Sequence, residues 1–192
     1  MDNATLAERL DASDDARSQL ALAMLGDVLA AETVTGRTLV VTDDKSGRAL
    51  AAELGAEPVA DAPSGQGAAV AAALERLGEG TVLVVNADVP CVVPLDLRAL
   101  AGAAEFGAIG YVEAEDGTTN ALALPAKEHF APLYGGGSAA RFRDHADSLG
   151  VPAISCAIPN LSDDVDTLHD LDRIGLRAGP RTQAAIGRAL HR

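Results

Sequence analysis

The chain of 192 residues has no tryptophan, two tyrosines and three phenylalanines. With aromatics this scarce, the core has to be assembled from alanine, valine and leucine, within a hydrophobic content of 48%. Cysteine is equally thin: Cys91 and Cys156 both lie in apolar stretches (PCVV and AISCAI). That setting suits buried free thiols in a reducing compartment and argues against a disulfide framework. Basic residues are outnumbered, with 15 Lys and Arg against 28 Asp and Glu, for a formal charge of −13. A field of that sign repels nucleic acid and anionic lipid, so neither is expected as a partner. No apolar run approaches the length that spans a bilayer. The opening MDNATLAERLDASDD is acidic and lacks an apolar centre, so no secretory leader is expected and the chain is assigned to the cytoplasm. Missing too is a GxGxxG after a first strand, which removes a dinucleotide-binding dehydrogenase. The four histidines, His129, His145, His169 and His191, have no zinc-ligand spacing, and no Ser/His/Asp or Cys/His set suggests a nucleophile.

What the chain does have is a run from Thr81 to Val85 of mostly β-branched residues that ends in Asn86-Ala87-Asp88-Val89-Pro90. The run predicts a buried strand, and open α/β sheets bind ligands beyond the carboxyl ends of their strands. Around it, apolar periodicity predicts a helix over 13–31 capped by Ser13 or Asp14, a strand over 38–42, and a helix over 46–54 capped by Asp43 or Asp44. A short strand over 57–60 follows, then an alanine-rich helix from Ser64-Gly65-Gln66-Gly67 to Leu77. Beyond Asp88 the pattern predicts a helix over 95–103, strands over 108–112 and 120–124, a helix over 138–148, a strand over 153–157, and helices starting near Thr167 and Arg181. Alternating strands and helices, with no repeat or linker, predict one α/β domain over 1–192: a three-layer, doubly wound, mostly parallel sheet.

Several residues are candidates for chemistry. Asp88 is delivered to the ligand-binding end of its strand, although an acid there can simply cap the next helix. In Asp163-Asp164-Val165-Asp166-Thr167, an extended backbone puts Asp164 and Asp166 on one side and Val165 on the other. Asp166 and Thr167 also fit a helix cap with Asp170. Two separated carboxylate sites suit a hard cation such as Mg²⁺, which takes oxygen ligands and shares them with substrate phosphates. Tyr134-Gly135-Gly136-Gly137-Ser138 leads into a helix with the layout of an anion site, with Arg141 as a candidate phosphate partner. A glycine run by itself marks only a loop.

NADVP, DGTTNALAL, YGGGSAAR and DDVDTLHDL, in this order and spacing, resemble the phosphoenolpyruvate and 2-phospho-L-lactate guanylyltransferases of coenzyme F420 biosynthesis. The segment Asp11–Leu29 resembles that family's first helix. The resemblance implies a fold like that of the nucleotide-diphospho-sugar transferases and a Mg²⁺-dependent transfer of GMP from GTP to a small phosphorylated carboxylic acid. It implies metal ligands at Asp88, Asp164 and Asp166, with Asp88 and Asp166 catalytic, and acceptor contacts at Thr119, Gly135 and Ser138. The chain departs from the family in three places. Members carry a strand and a basic, lysine-containing loop before the residues matching Leu6-Ala7, where Met1–Thr5 stand here, so a central strand and a source of positive charge for the triphosphate are expected to be missing. Gly67 replaces a frequent asparagine, and Thr118 a frequent glycine. A sugar-phosphate or molybdopterin nucleotidyltransferase, or an acceptor-binding subunit without catalysis, is the competing reading. The residues leave the oligomeric state open, a homodimer included.

Overall fold

A computed structural model of the chain describes residues 14–60 and 65–190. Met1–Ser13, with the expected Ser13 cap and the Leu6-Ala7 match, Ser64, and His191 lie outside the described residues. The elements in order are α1 (Asp14–Thr33), β1 (Leu39–Val41), α2 (Lys45–Glu53), β2 (Glu57–Val59), α3 (Gln66–Leu74), β3 (Val82–Val85) and α4 (Pro94–Glu105). Then come β4 (Ile109–Glu113), β5 (Thr119–Leu124), α5 (Ser138–Leu149), β6 (Ala153–Ser155), α6 (Pro159–Ser162), α7 (Leu168–Ile174) and α8 (Pro180–Leu190).

The order β3-β5-β4-β6 makes a four-stranded sheet, and β1 pairs with β2 in parallel. In the larger sheet β5 is antiparallel to both β3 and β4, while β4 and β6 are parallel, so β5 alone runs against its neighbours. The mostly parallel, three-layer α/β architecture is therefore present. Side-chain alternation builds the layers. Val112, Ala121 and Ala123 face Leu97 and Leu100 of α4. Tyr111 and Leu122 face the other way, onto Ala139 and Phe142 of α5. All six residues of β5 are buried, as a strand covered on both faces must be. Small residues let these layers close: a Cβ on Gly110 would stand 2.7 Å from that of Ala103.

The expected single sheet is interrupted. Between β1 and β3 runs a groove of about 810 Å³ lined by Val28, Leu29, Val40, Leu74 and Val84, and reaching Asn86 and Asp88 at one end. Among the described residues no strand lies between these two edges. Glu32 of α1 also lines the groove, and burial among apolar atoms pushes its carboxyl up to about 8.

Boundaries shift modestly. α3 stops at Leu74, because Arg76 and Leu77 donate back only three residues, to Ala73 and Leu74, in a tighter final turn. The short helix α6 carried no periodic signal. No helix among the described residues is long and apolar enough to cross a membrane.

Candidate active site

Asp88 sits in the turn after β3, and that turn is fastened from behind. Its carbonyl accepts from Val165 N at 2.9 Å, and the Pro90 carbonyl accepts from Gly179 N at 2.8 Å. Val89 is fully buried beside it. The capping alternative for Asp88 fails: Asp96 fills that role for α4, accepting from Val93 N at 2.9 Å. Asp88 Oδ1 is instead buried, with no hydrogen-bond partner among the described residues. Burial pushes the Asp88 carboxyl up to about 6, and the nearby charges of Asp164 and Asp166 push in the same direction.

The second acidic cluster divides by function. Asp163 binds Arg173 and, at 2.5 Å, Arg177, so its charge is spent on structure. The cap of α7 is made by Thr167 and Asp170: Asp170 Oδ2 accepts from Thr167 N at 2.7 Å and from Asp166 N at 3.2 Å. Asp166 enters that cap through its backbone amide, which leaves its carboxylate to the site. Val165 packs with Leu20, Met24 and Leu171, as alternation requires. Asp164 is raised by burial and by Asp166, and lowered by a hydrogen bond from Asn120. Among the described residues no three His, Cys, Asp or Glu side chains close into one ligand shell. The charges of Asp164 and Asp166 nonetheless reach Asp88, and a buried carboxylate oxygen with no partner among the described residues, in the field of two more carboxylates, suits a hard divalent cation.

Two asparagines that sequence reasoning had quoted only as motif letters join this site. Asn86 accepts from Gln66 Nε2 at 2.9 Å and donates to Asn120 Oδ1 at 3.4 Å; Asn120 donates to the Ser162 carbonyl at 3.3 Å. The chain of amides runs from the groove to the Ser162 carbonyl. Their signal in the sequence was an amide two residues ahead of Asp88 and another inside an otherwise apolar strand.

Thr119 and Asn120 are successive residues of β5, so their side chains leave opposite faces. Asn120 serves the acids. Thr119 accepts from Ser138 Oγ at 3.0 Å on the α5 side, and both hydroxyl residues are essentially inaccessible, at 1% and 0% exposure. Above them runs the glycine loop, in which Gly135 and Gly137 hold φ of +106° and +70°, values that L side chains rarely adopt. Gly135 is exposed. Four of the chain's five aromatic residues, Tyr111, Phe130, Tyr134 and Phe142, gather behind this loop. Tyr134 meets Phe142 edge-on at 5.4 Å.

Arg141 does not stand free as a phosphate partner. Its Nε donates to the Leu133 carbonyl at 3.0 Å, Nη1 to Gly136 at 2.6 Å, and Nη2 to Leu133, Tyr134 and Gly135 at 2.8, 3.1 and 3.1 Å. The guanidinium belongs to the loop's architecture.

Residues 21–157 match the family model described as a MobA-like NTP transferase domain. A phosphoenolpyruvate guanylyltransferase of Geodermatophilus obscurus is 38% identical over 190 residues, covering 96% of this chain and 86% of that protein. Enzymes of the same name from Streptomyces coelicolor and Roseiflexus castenholzii are 38% and 33% identical, covering 93% and 95% of this chain and 88% and 86% of theirs. Among solved structures, a protein assigned to the nucleotide-diphospho-sugar transferases of Desulfovibrio desulfuricans superposes with a TM-score of 0.70 at 14% identity. That match covers 92% of this chain and 87% of the other, and it bears on the fold alone.

Proposed function

Because the chain belongs to the phosphoenolpyruvate guanylyltransferases, within the family built on the MobA-like NTP transferase domain, we propose that it transfers GMP from GTP to the phosphate of phosphoenolpyruvate or 2-phospho-L-lactate. Pyrophosphate leaves, and the product enters coenzyme F420 assembly. The observation that carries this reading is the buried, unpartnered Asp88 Oδ1 set against Asp164 and Asp166. We assign the divalent metal of this chemistry to Mg²⁺, held by Asp88, Asp164 and Asp166. When bound, it supplies positive charge at the α-phosphate and the departing pyrophosphate.

The acceptor's phosphate is already ionised at neutral pH, so its oxygen attacks the α-phosphorus without a general base. The bond from the α-phosphorus to the bridging oxygen of the pyrophosphate breaks as the new P–O bond forms. The protein's task is alignment and charge. Asp88 and Asp166 hold the acidic side of the site, and the Asn120 amide beside Asp164 favours that carboxyl's charged form. Gly135 receives the acceptor's phosphate at the mouth of α5, and the buried Ser138–Thr119 hydroxyl pair supports the loop from beneath. The chain works as one domain over 1–192, in the cytoplasm, as monomer or homodimer, without nucleic acid or membrane.

The test is incubation with Mg²⁺, GTP and equal amounts of phosphoenolpyruvate and 2-phospho-L-lactate, with products identified by mass. The expected product is a guanosine diphosphate diester of one acceptor. Absence of either diester, with turnover of a sugar phosphate instead, overturns the assignment.

A further inference from the structure

The hydrogen bonds of Arg141 have a consequence fixed by peptide geometry. In a trans peptide the carbonyl of one residue and the N–H of the next point in opposite directions. The carbonyls of Leu133, Tyr134, Gly135 and Gly136 all turn toward the Arg141 guanidinium. The amides of Tyr134, Gly135, Gly136 and Gly137 are therefore turned away from it. Four successive N–H groups on one side of a loop, at a helix start, form a concave anion-binding nest. Among the described residues none of the three glycine amides has a backbone acceptor, whereas Ser138 N donates to Gly135 O at 2.9 Å and Ala139 N to Gly117 O at 3.3 Å. The aromatic cluster of Phe130, Tyr134 and Phe142 fixes the loop's base. A Cβ at Gly135 or Gly137 would lie 3.7 or 3.8 Å from the guanidinium nitrogens, so the cation closes the loop on the side away from the amides.

We propose that Arg141 is a positioning residue that pre-forms the acceptor-phosphate nest by holding four loop carbonyls, without touching the phosphate itself. This rests on the reading of the glycine loop as the acceptor's site. A lysine keeps the charge but is a point donor that cannot serve four carbonyls through one planar fork.

The test compares the full chain with Arg141→Lys, Arg141→Gln and a control, Arg143→Gln, whose side chain pairs with exposed Asp144 on the same helix. Amide exchange of Tyr134–Gly137 is read in the free protein, and phosphoenolpyruvate and Mg·GTP binding are read by calorimetry. Both Arg141 variants should speed exchange at these amides and weaken phosphoenolpyruvate about tenfold, as expected when a pre-organised loop must be ordered on binding. Mg·GTP affinity and the melting temperature should hold, and Arg143→Gln should match the wild type. Full phosphoenolpyruvate affinity in Arg141→Lys would overturn the proposal, because charge alone would then suffice. Unchanged exchange would overturn it as well, as would faster exchange with unchanged acceptor affinity. A wild type that binds phosphoenolpyruvate yet forms no guanylylated product defeats the functional reading alone, and the Arg141 comparison still stands.

Discussion

The two sides of Asp88 are built by opposite rules. On the α5 side, four aromatic residues, a buried hydroxyl pair and an arginine fork hold a short loop in one shape. On the β1 side, a groove of about 810 Å³ separates two strand edges and is lined by no aromatic residue at all. A chain poor in large side chains has spent them almost entirely on one half of its site. The lesson is that organisation here is local: the loop half is held by its own side chains, while the groove half, among the described residues, presents two strand edges with no strand between them.

The comparison can be broken or sharpened by substitution. The largest effect is expected at the junction. Asp88→Ala should cut guanylyl transfer by about a thousandfold or more, the scale of losing a metal-holding or electrostatic group. Its melting temperature should equal or exceed that of the wild type, since a buried unpartnered carboxylate is removed; normal turnover would refute the assigned role. On the organised side, Ser138→Ala should raise the acceptor KM about tenfold and cost about 1 kcal/mol of stability in urea unfolding, the value of one buried hydrogen bond. Equal KM would separate the hydroxyl pair from acceptor binding.

On the open side, Glu32 offers a pH test. Its folded-state value of about 8 lies above its ordinary value of 4.5. The folded state therefore holds a proton that the unfolded state has released between those values, and stability falls as pH rises through that window. The wild-type melting temperature should drop by about 5 °C or more from pH 5 to pH 8 relative to Glu32→Gln, given roughly 2–4 °C per kcal/mol in a chain this size. Parallel curves for the two proteins would place the Glu32 carboxyl in water. The smallest effect is expected at the groove's rim, where Glu57 pairs with Arg37 and Arg76 on the surface. Glu57→Gln should leave the melting temperature within about one degree, because exposed ion pairs are screened and entropically costly.

Local grammar made much of this legible. The strand into Asp88, the Asp44 cap that accepts from Gly47 N at 2.6 Å, and the alternation through Asp164-Val165-Asp166 all follow from period and turn chemistry within a few residues. The acids proposed to hold metal came from those same patterns. Of the proposed acceptor residues, Gly135 and Ser138 lie in a loop legible from its loop-to-helix layout and Thr119 came from resemblance alone; the structure sets Ser138 against Thr119. What stayed hidden depends on distant partners. Arg141 reads identically in sequence whether its donors face a phosphate or four carbonyls. Asp27 looks like an ordinary polar residue in a helix, yet it is buried and binds the amides of Arg181 and Thr182 at 3.0 and 2.8 Å. The split of the sheet at the groove is likewise a matter of which edges meet, and no window of sequence contains both.

Asp27, with Gly179 and Val165, also orders events during synthesis. The turn carrying Asp88 receives two backbone donors, Val165 and Gly179, from segments made long after it. α8 is then latched onto α1 through Asp27, and a Cβ at Gly179 would strike that carboxylate at 2.3 Å. A nascent chain on the ribosome can fold its sheet and its glycine loop early. It cannot complete the fastening of the turn that carries Asp88 until Gly179 has emerged, so a chain ending between Ser155 and Gly179 should hold every strand described here and lack that fastening.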